Sequence, residues 1–222
     1  MRSQFLLLAI VLAYVTCLTA FLAFHEQLPD LLFFIRQQAI YVIALGAMVM
    51  APAIQNERKS RRVLSVLSKG IHRWQYLGGL LCGTMMITGI FCLAVGLSAL
   101  WLTRQASMPL TGLAELMLVL FSACVAGAST ALFCSTFLHP FLALPATAVL
   151  LFFPVAAEAS GWYPPHYFFP VFSALRVVLS FTFRKPGSGL WSIGIASLIH
   201  AAVFWIAASA IFARQDVTVT TE

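Results

Sequence analysis

Six long apolar stretches, separated by short polar breaks, dominate the chain. They run over roughly 4–24, 31–54, 75–103, 111–137, 140–160 and 190–213. Each is long enough to cross a hydrocarbon core, which takes about 20 helical residues. A backbone inside lipid must satisfy its own hydrogen bonds, so the stretches are predicted to be helices. A transmembrane β-barrel would alternate apolar and polar residues over short strands, and no such alternation occurs. The predicted fold is an all-α integral membrane protein of six transmembrane helices forming one domain over 1–222.

The breaks differ in character. His25 to Asp30 is a polar turn with Pro29, Asn56 to Arg73 is strongly charged, and Thr103 to Pro109 is a short loop. His139-Pro140 separates two apolar runs tightly. Gly161 to Gly189 is long and mixed, with Pro164-Pro165, Pro170 and Pro186-Gly187. Within it, Phe168 to Phe183 is 16 mostly apolar residues with one charge, Arg176. That is short for a crossing and predicts a re-entrant or interfacial helical segment before the sixth helix. Trp162, Tyr163 and Tyr167 are the aromatics expected at a headgroup boundary.

Composition narrows the class. Hydrophobic residues make up 61% and charged residues 9% of the 222, against about 25% charged in soluble domains. Mean hydropathy is +0.95. The net charge of +6 would ordinarily raise nucleic-acid binding. Most cations, however, lie in one loop between apolar runs, so the positive-inside rule accounts for them and no nucleic-acid partner is expected. With the N-terminus inside, eight Lys and Arg fall on the inner side (Arg2, Arg58, Lys59, Arg61, Arg62, Lys69, Arg73, Arg214). Five fall outside (Arg36, Arg104, Arg176, Arg184, Lys185). Both termini are therefore expected in the cytoplasm. Phe5 to Phe24 exceeds a signal-peptide core of about 7–15 residues and reads as a retained first helix. The five cysteines lie in apolar runs without a C-x-x-C pair and read as small buried hydrophobes.

The basic loop carries the most information. On a helix, Val63, Leu64, Val66, Leu67, Ile71 and Trp74 share an arc of roughly 160°. The basic residues and serines lie mainly opposite. This predicts an amphipathic cytoplasmic helix. Its residues admit two readings: a membrane-surface helix with arginines on anionic headgroups, or a docking helix whose apolar knobs fill a partner's cleft.

The stretch Glu57-Arg58-x4-Val63-Leu64-x2-Leu67-Ser68-x-Gly70-x2-Arg73-Trp74-x3-Gly78 resembles the segment after the second helix of ABC-2 type transporter permeases. Phe212-Ala213-Arg214-Gln215-Asp216-Val217 is similar to the F-x-R-R-D-[IV] ending that many of them carry. The six-helix plan matches as well. Arg61-Arg62 stand where the family usually has Gly-Thr, and Lys69-Gly70 where proline is common. Only Met1 to Gln4 precede the first apolar run, where the family usually has an amphipathic helix.

What the resemblance implies is a permease subunit of an ABC exporter in a cell membrane, the inner membrane in a bacterium. A second permease copy or paralogue would complete the path, and a separate ABC ATPase subunit would dock on the loop as a coupling helix. Glu57 would anchor the helix start. Leu64, Leu67 and Ile71 would fill the ATPase cleft beside Ser68, and Arg58 and Arg73 would pair with its acidic rim. The chain has no G-x-x-x-x-G-K-[ST] motif, so ATP and Mg would be held by the partner, with no cofactor and no enzymatic activity on this chain. The apolar, aromatic-rich outer half points to a hydrophobic or amphipathic cargo.

Other constellations compete with that reading. Gly127-Ala128-Ser129-Thr130 and His200 resemble the serine and histidine of rhomboid intramembrane proteases, although Thr130 replaces the closing glycine. Counting from the span ends puts Ser129 and His200 at different depths, so a packing serine and an isolated histidine are expected instead. A small secondary transporter or channel is a further alternative, but it would call for charged residues near mid-membrane. Glu115, Glu158 and Arg176 are either a polar outer gate or side chains reaching the interface. His72, His139 and His166 have no ligand-like spacing, and no metal site is expected. Pro145 and Pro154 are expected to kink the fifth helix, and Gly83, Gly89 and Gly96 to permit close packing of the third.

Overall fold

The computed structural model describes residues 28–55, 71–105, 111–159, 171 and 190–214. Among these residues the fold is all-helical, with no strand. The helices are α1 (Leu28–Met50), α2 (Arg73–Gln105), α3 (Thr111–Phe137), α4 (Pro140–Ala159) and α5 (Leu190–Arg214). Four of them, α1, α2, α3 and α5, are long and apolar enough to cross a membrane, which makes the chain a multi-pass membrane protein. The first apolar stretch, 4–24, and the segment Phe168 to Phe183 apart from Val171 lie outside the described residues, as does the loop 56–70.

Local chemistry sets the helix ends. α1 takes in Pro29 near its start, where the missing N–H costs nothing, and so begins three residues before the predicted boundary of 31. Its regular run stops at Met50 because Pro52 cannot donate to the ladder; a single turn, 53–55, follows. α2 starts two residues earlier than predicted. The backbone N–H of His72 donates to Gln75 Oε1 at 3.1 Å, the returning half of a capping box. At the α3–α4 break the carbonyl of His139 accepts from Leu142 N and Ala143 N at 2.8 and 2.9 Å, and Pro140 takes the first helical position.

Contacts fix the helix directions. Ile43 meets Gly127, Ala51 packs with Cys134, and Gln55 Nε2 donates to Leu138 O at 3.4 Å, so α1 and α3 run parallel. Thr130 with His200 and Phe133 with Phe204 make α3 and α5 parallel too. α2 runs against them, pairing Gly46 with Thr88, Met50 with Thr84, and Met117 with Gly96. The end of α1, the start of α2, the α3–α4 turn and the end of α5 therefore share one end of the bundle, called here the base.

α3 is the hub, packing on α1, α2, α4 and α5. Its run Ser122-Ala123-Cys124-Val125-Ala126-Gly127-Ala128-Ser129-Thr130-Ala131 is buried throughout. In lipid no hydrophobic force draws helices together, so close approach depends on small residues, and this run supplies them. The hydroxyls settle their needs locally: Ser122, Ser129, Ser135 and Thr136 each donate to a carbonyl one turn back at 2.7–2.8 Å.

α2 is apolar on every face. Leu77, Leu81, Thr84, Thr88, Cys92, Val95 and Ala99 point inward. Met86, Ile90, Leu93 and Leu97 on the other side are 66–74% exposed. Water would not tolerate that outer stripe on so long a helix; hydrocarbon does.

Candidate functional site

At the base, the first residue of α2 grips the last turn of α5. The Arg73 guanidinium donates from one nitrogen to the carbonyls of Phe212 and Ala213, at 3.0 and 2.9 Å. These carbonyls belong to the last turn of α5, so the cation also meets the negative end of the helix dipole. Aromatic packing extends the clamp. Trp74 meets Trp205 edge-on with centroids 6.1 Å apart, and Tyr76 stacks on Phe212 at 6.4 Å. Gly78 is the notch for Trp205: a Cβ there would lie 3.5 Å from the indole.

The clamp exists because α5 overhangs α3. Thr130 is seven residues from the end of α3, whereas its neighbour His200 is fourteen from the end of α5. The difference, seven residues or about 10 Å of helix, projects past the hub into the reach of α2's first turn.

Mid-bundle, His200 Nε2 lies 3.1 Å from Thr130 Oγ1, and its ring stacks on Phe204 with centroids 4.3 Å apart. Thr130 also donates to Ala126 O at 2.8 Å. Ser129 is fully buried with its hydroxyl committed to Ala126 O at 2.8 Å. The overhang thus brings His200 level with the Gly127–Thr130 stretch, which span-end counting had separated. The histidine's hydrogen-bond partner is Thr130, not Ser129. Thr130→Val should cost about 1 kcal/mol, as interhelical hydrogen bonds in membranes do. His200→Leu combined with it should add little further loss, which a double-mutant cycle on thermal unfolding in detergent would check.

At the far end, Glu115 lies about one turn into α3. One of its carboxyl oxygens, Oε2, is buried and has no hydrogen-bond partner. Glu115 is among the residues around a cavity of about 130 Å³ between α3 and α5, an almost wholly apolar space whose other described walls are Leu118, Val119, Trp191, Gly194, Ile195 and Leu198. A larger apolar groove of about 820 Å³ runs between α2 and α3, from Met86 and Ile90 to Leu97 and Phe121. Leu118 lines both.

The remaining predicted residues are dispersed. Glu57, Arg58, Leu64, Leu67, Ser68 and Arg176 lie outside the described residues, and Glu158 falls in the last turn of α4. Ile71 is exposed at the base, two residues before the clamp. No group of three or more metal-ligand side chains occurs among the described residues. Sequence reasoning missed Trp191 beside Glu115 and the Thr130–His200 link. Both depend on how α5 slides along α3, which hydropathy does not encode.

No family model, curated protein or solved structure matches the chain.

Proposed function

We propose that the chain is the membrane-spanning permease subunit of an ABC-2 type exporter, powered by a separate ABC ATPase. The observation that carries this reading is the Arg73 clamp. The basic loop, read as the ATPase-docking helix, runs directly into the first residue of α2, and that residue holds the end of α5. α5 in turn lies along the hub helix α3. A push on the loop would therefore move α2 and α5 together and reach the hub through them. In this role Arg73 is an internal link and not a rim partner of the ATPase, while Ile71, exposed beside it, remains free to enter a cleft.

The rest of the plan follows the sequence reading. The base faces the cytoplasm, where the 56–72 cations belong. A first helix over 4–24 would complete six crossings with α1 to α5, and a re-entrant segment over Phe168 to Phe183 would precede the sixth. A second permease copy or paralogue closes the path, and ATP and Mg stay with the ATPase.

Purification of the tagged full-length chain from its host in mild detergent, followed by mass spectrometry, tests this. A polypeptide carrying G-x-x-x-x-G-K-[ST] should copurify in stoichiometric amount, and Leu67→Asp should remove it by placing a charge in the apolar arc. Retention of that subunit by the Leu67→Asp chain would refute loop docking.

A further inference from the structure

We propose that Cys92 of α2 and Cys124 of α3 form a reversible disulfide that ties α2 covalently to the hub helix. The register of the three-helix crossing brings the two together. A Cβ at Gly46 of α1 would lie 3.1 Å from the Thr88 methyl and 3.6 Å from the Cys124 carbonyl oxygen, so Thr88 and Cys124 flank one point. Cys92 follows Thr88 by one turn on the same inward face of α2. Gly89 faces the Phe121 ring and Gly96 faces Met117, which puts Cys92 level with the turn of α3 just before Cys124. A helical side chain leans toward the N-terminus of its own helix. Because α2 and α3 are antiparallel, Cys92 leans toward the base, Cys124 leans away from it, and the two converge. Their thiol groups meet in a side-chain contact within one apolar core. Packing alone would be served by alanine or valine at either position. Two thiols in contact add a reaction that those residues lack. Of the other described cysteines, Cys82 is exposed and Cys134 packs with Ala51 and Ala143 in a separate cluster.

Access sets the order of events. Cys124 is fully buried, whereas Cys92 is 6% exposed and is among the residues lining the groove of about 820 Å³ between α2 and α3. That groove is apolar, so the oxidant that fits is a hydroperoxide that partitions into hydrocarbon. The Cys92 sulfur takes the terminal oxygen of the peroxide: the O–O bond breaks, a sulfenic acid forms and the alcohol leaves. The Cys124 sulfur then attacks the Cys92 sulfur. The S–S bond forms, the S–O bond breaks, and water leaves with the Cys124 proton. The two thiols together lose two electrons and two protons, and the hydroperoxide is reduced to alcohol and water. Burial makes the reaction slower than at an exposed thiol. The site depends only on α2 and α3. That the link also arrests export rests on the exporter reading, so absence of a copurifying ATPase would remove that consequence and leave the disulfide intact.

Cumene hydroperoxide added to the full chain in maltoside micelles, followed by maleimide blocking in denaturant and peptide mass spectrometry, tests the pair. A full-length chain carrying Cys17→Ala, Cys82→Ala and Cys134→Ala retains only the two thiols in question. Oxidation should join the Cys92 and Cys124 peptides, with a mass lower by two hydrogens, in this chain and in the wild type. Dithiothreitol should return both thiols. The oxidised chain should unfold at a higher temperature than the reduced one, because the link closes a loop in the unfolded chain. Cys92→Ser in the same background should lose both the cross-link and the rise in unfolding temperature, with circular dichroism confirming its fold. If that variant does not fold, the cross-link in the two-thiol chain decides alone. Two maleimide-labelled thiols after hydroperoxide treatment overturn the proposal, as does Cys92 oxidised to sulfinic acid with Cys124 still free. A cross-link that joins two chains, seen as a dimer on non-reducing electrophoresis, overturns it as well.

Discussion

Gly46→Leu should dismantle the bundle. A Cβ at Gly46 would lie 3.1 Å from the Thr88 methyl and 3.6 Å from the Cys124 carbonyl oxygen. Here α1, α2 and α3 meet, and the backbone of α3 leaves no room to retreat. Alanine would force the Thr88 methyl to shift by a few tenths of an ångström and should cost about 1 kcal/mol. Leucine adds three more carbons that must enter the same space, and the expected loss is about 3 kcal/mol. Gly83→Leu is the matched control, because nothing lies within 4 Å of its would-be Cβ. Its effect should stay within about 0.5 kcal/mol. Thermal unfolding in detergent reads all three. A Gly46→Leu protein that melts with the wild type would show that the three-helix crossing is looser than described.

Arg73→Ala should release the end of α5. It removes two charge-assisted hydrogen bonds to carbonyls in the last turn of α5, together with a cation at the helix C-terminus. One of the two bonds is solvent-exposed, which lowers the expected cost to about 1–2 kcal/mol. Arg73→Lys should recover roughly half, since it restores the charge but not the planar fork. A cysteine introduced at Ala210 should become more reactive to a maleimide in Arg73→Ala and not in Arg73→Lys. In the assembled exporter proposed above, the alanine variant should keep basal ATP hydrolysis while losing its stimulation by cargo. A purely structural cap would lower both together. Preserved stimulation would remove Arg73 from the coupling route.

Much of this fold was legible in the chain because lipid imposes a simple rule. The apolar stretches 75–103 and 111–137 emerge as α2 and α3, with α3 at its predicted boundaries, since a polar break and an apolar run are both unambiguous. Local caps account for the shifts at Pro29, Pro52 and Gln75, and α2 also runs two residues past its predicted end, to Gln105. The site was less legible. Glu115 stood out with Glu158 as an intramembrane carboxyl, but its cavity neighbours Trp191 and Gly194 are some 80 positions away, across a helix offset that hydropathy does not specify. The Thr130–His200 pairing was hidden for the same reason. Arg73 read as a partner for the ATPase's acidic rim, because nothing in the order of residues says that the helix start meets the carbonyls of Phe212 and Ala213.

The uniform apolarity of α2 has a mechanical meaning. An amphipathic helix at a membrane surface has a preferred azimuth, because turning it drags polar groups into hydrocarbon. A helix equally greasy on all sides feels no such restoring torque from the bilayer. Its rotational setting is held by protein contacts alone: Thr84 and Thr88 against α1, Phe121 over Gly89, and the ties of its first turn to α5. Lipid offers that shaft a bearing and no brake, so whatever turns its first residue turns the whole rod.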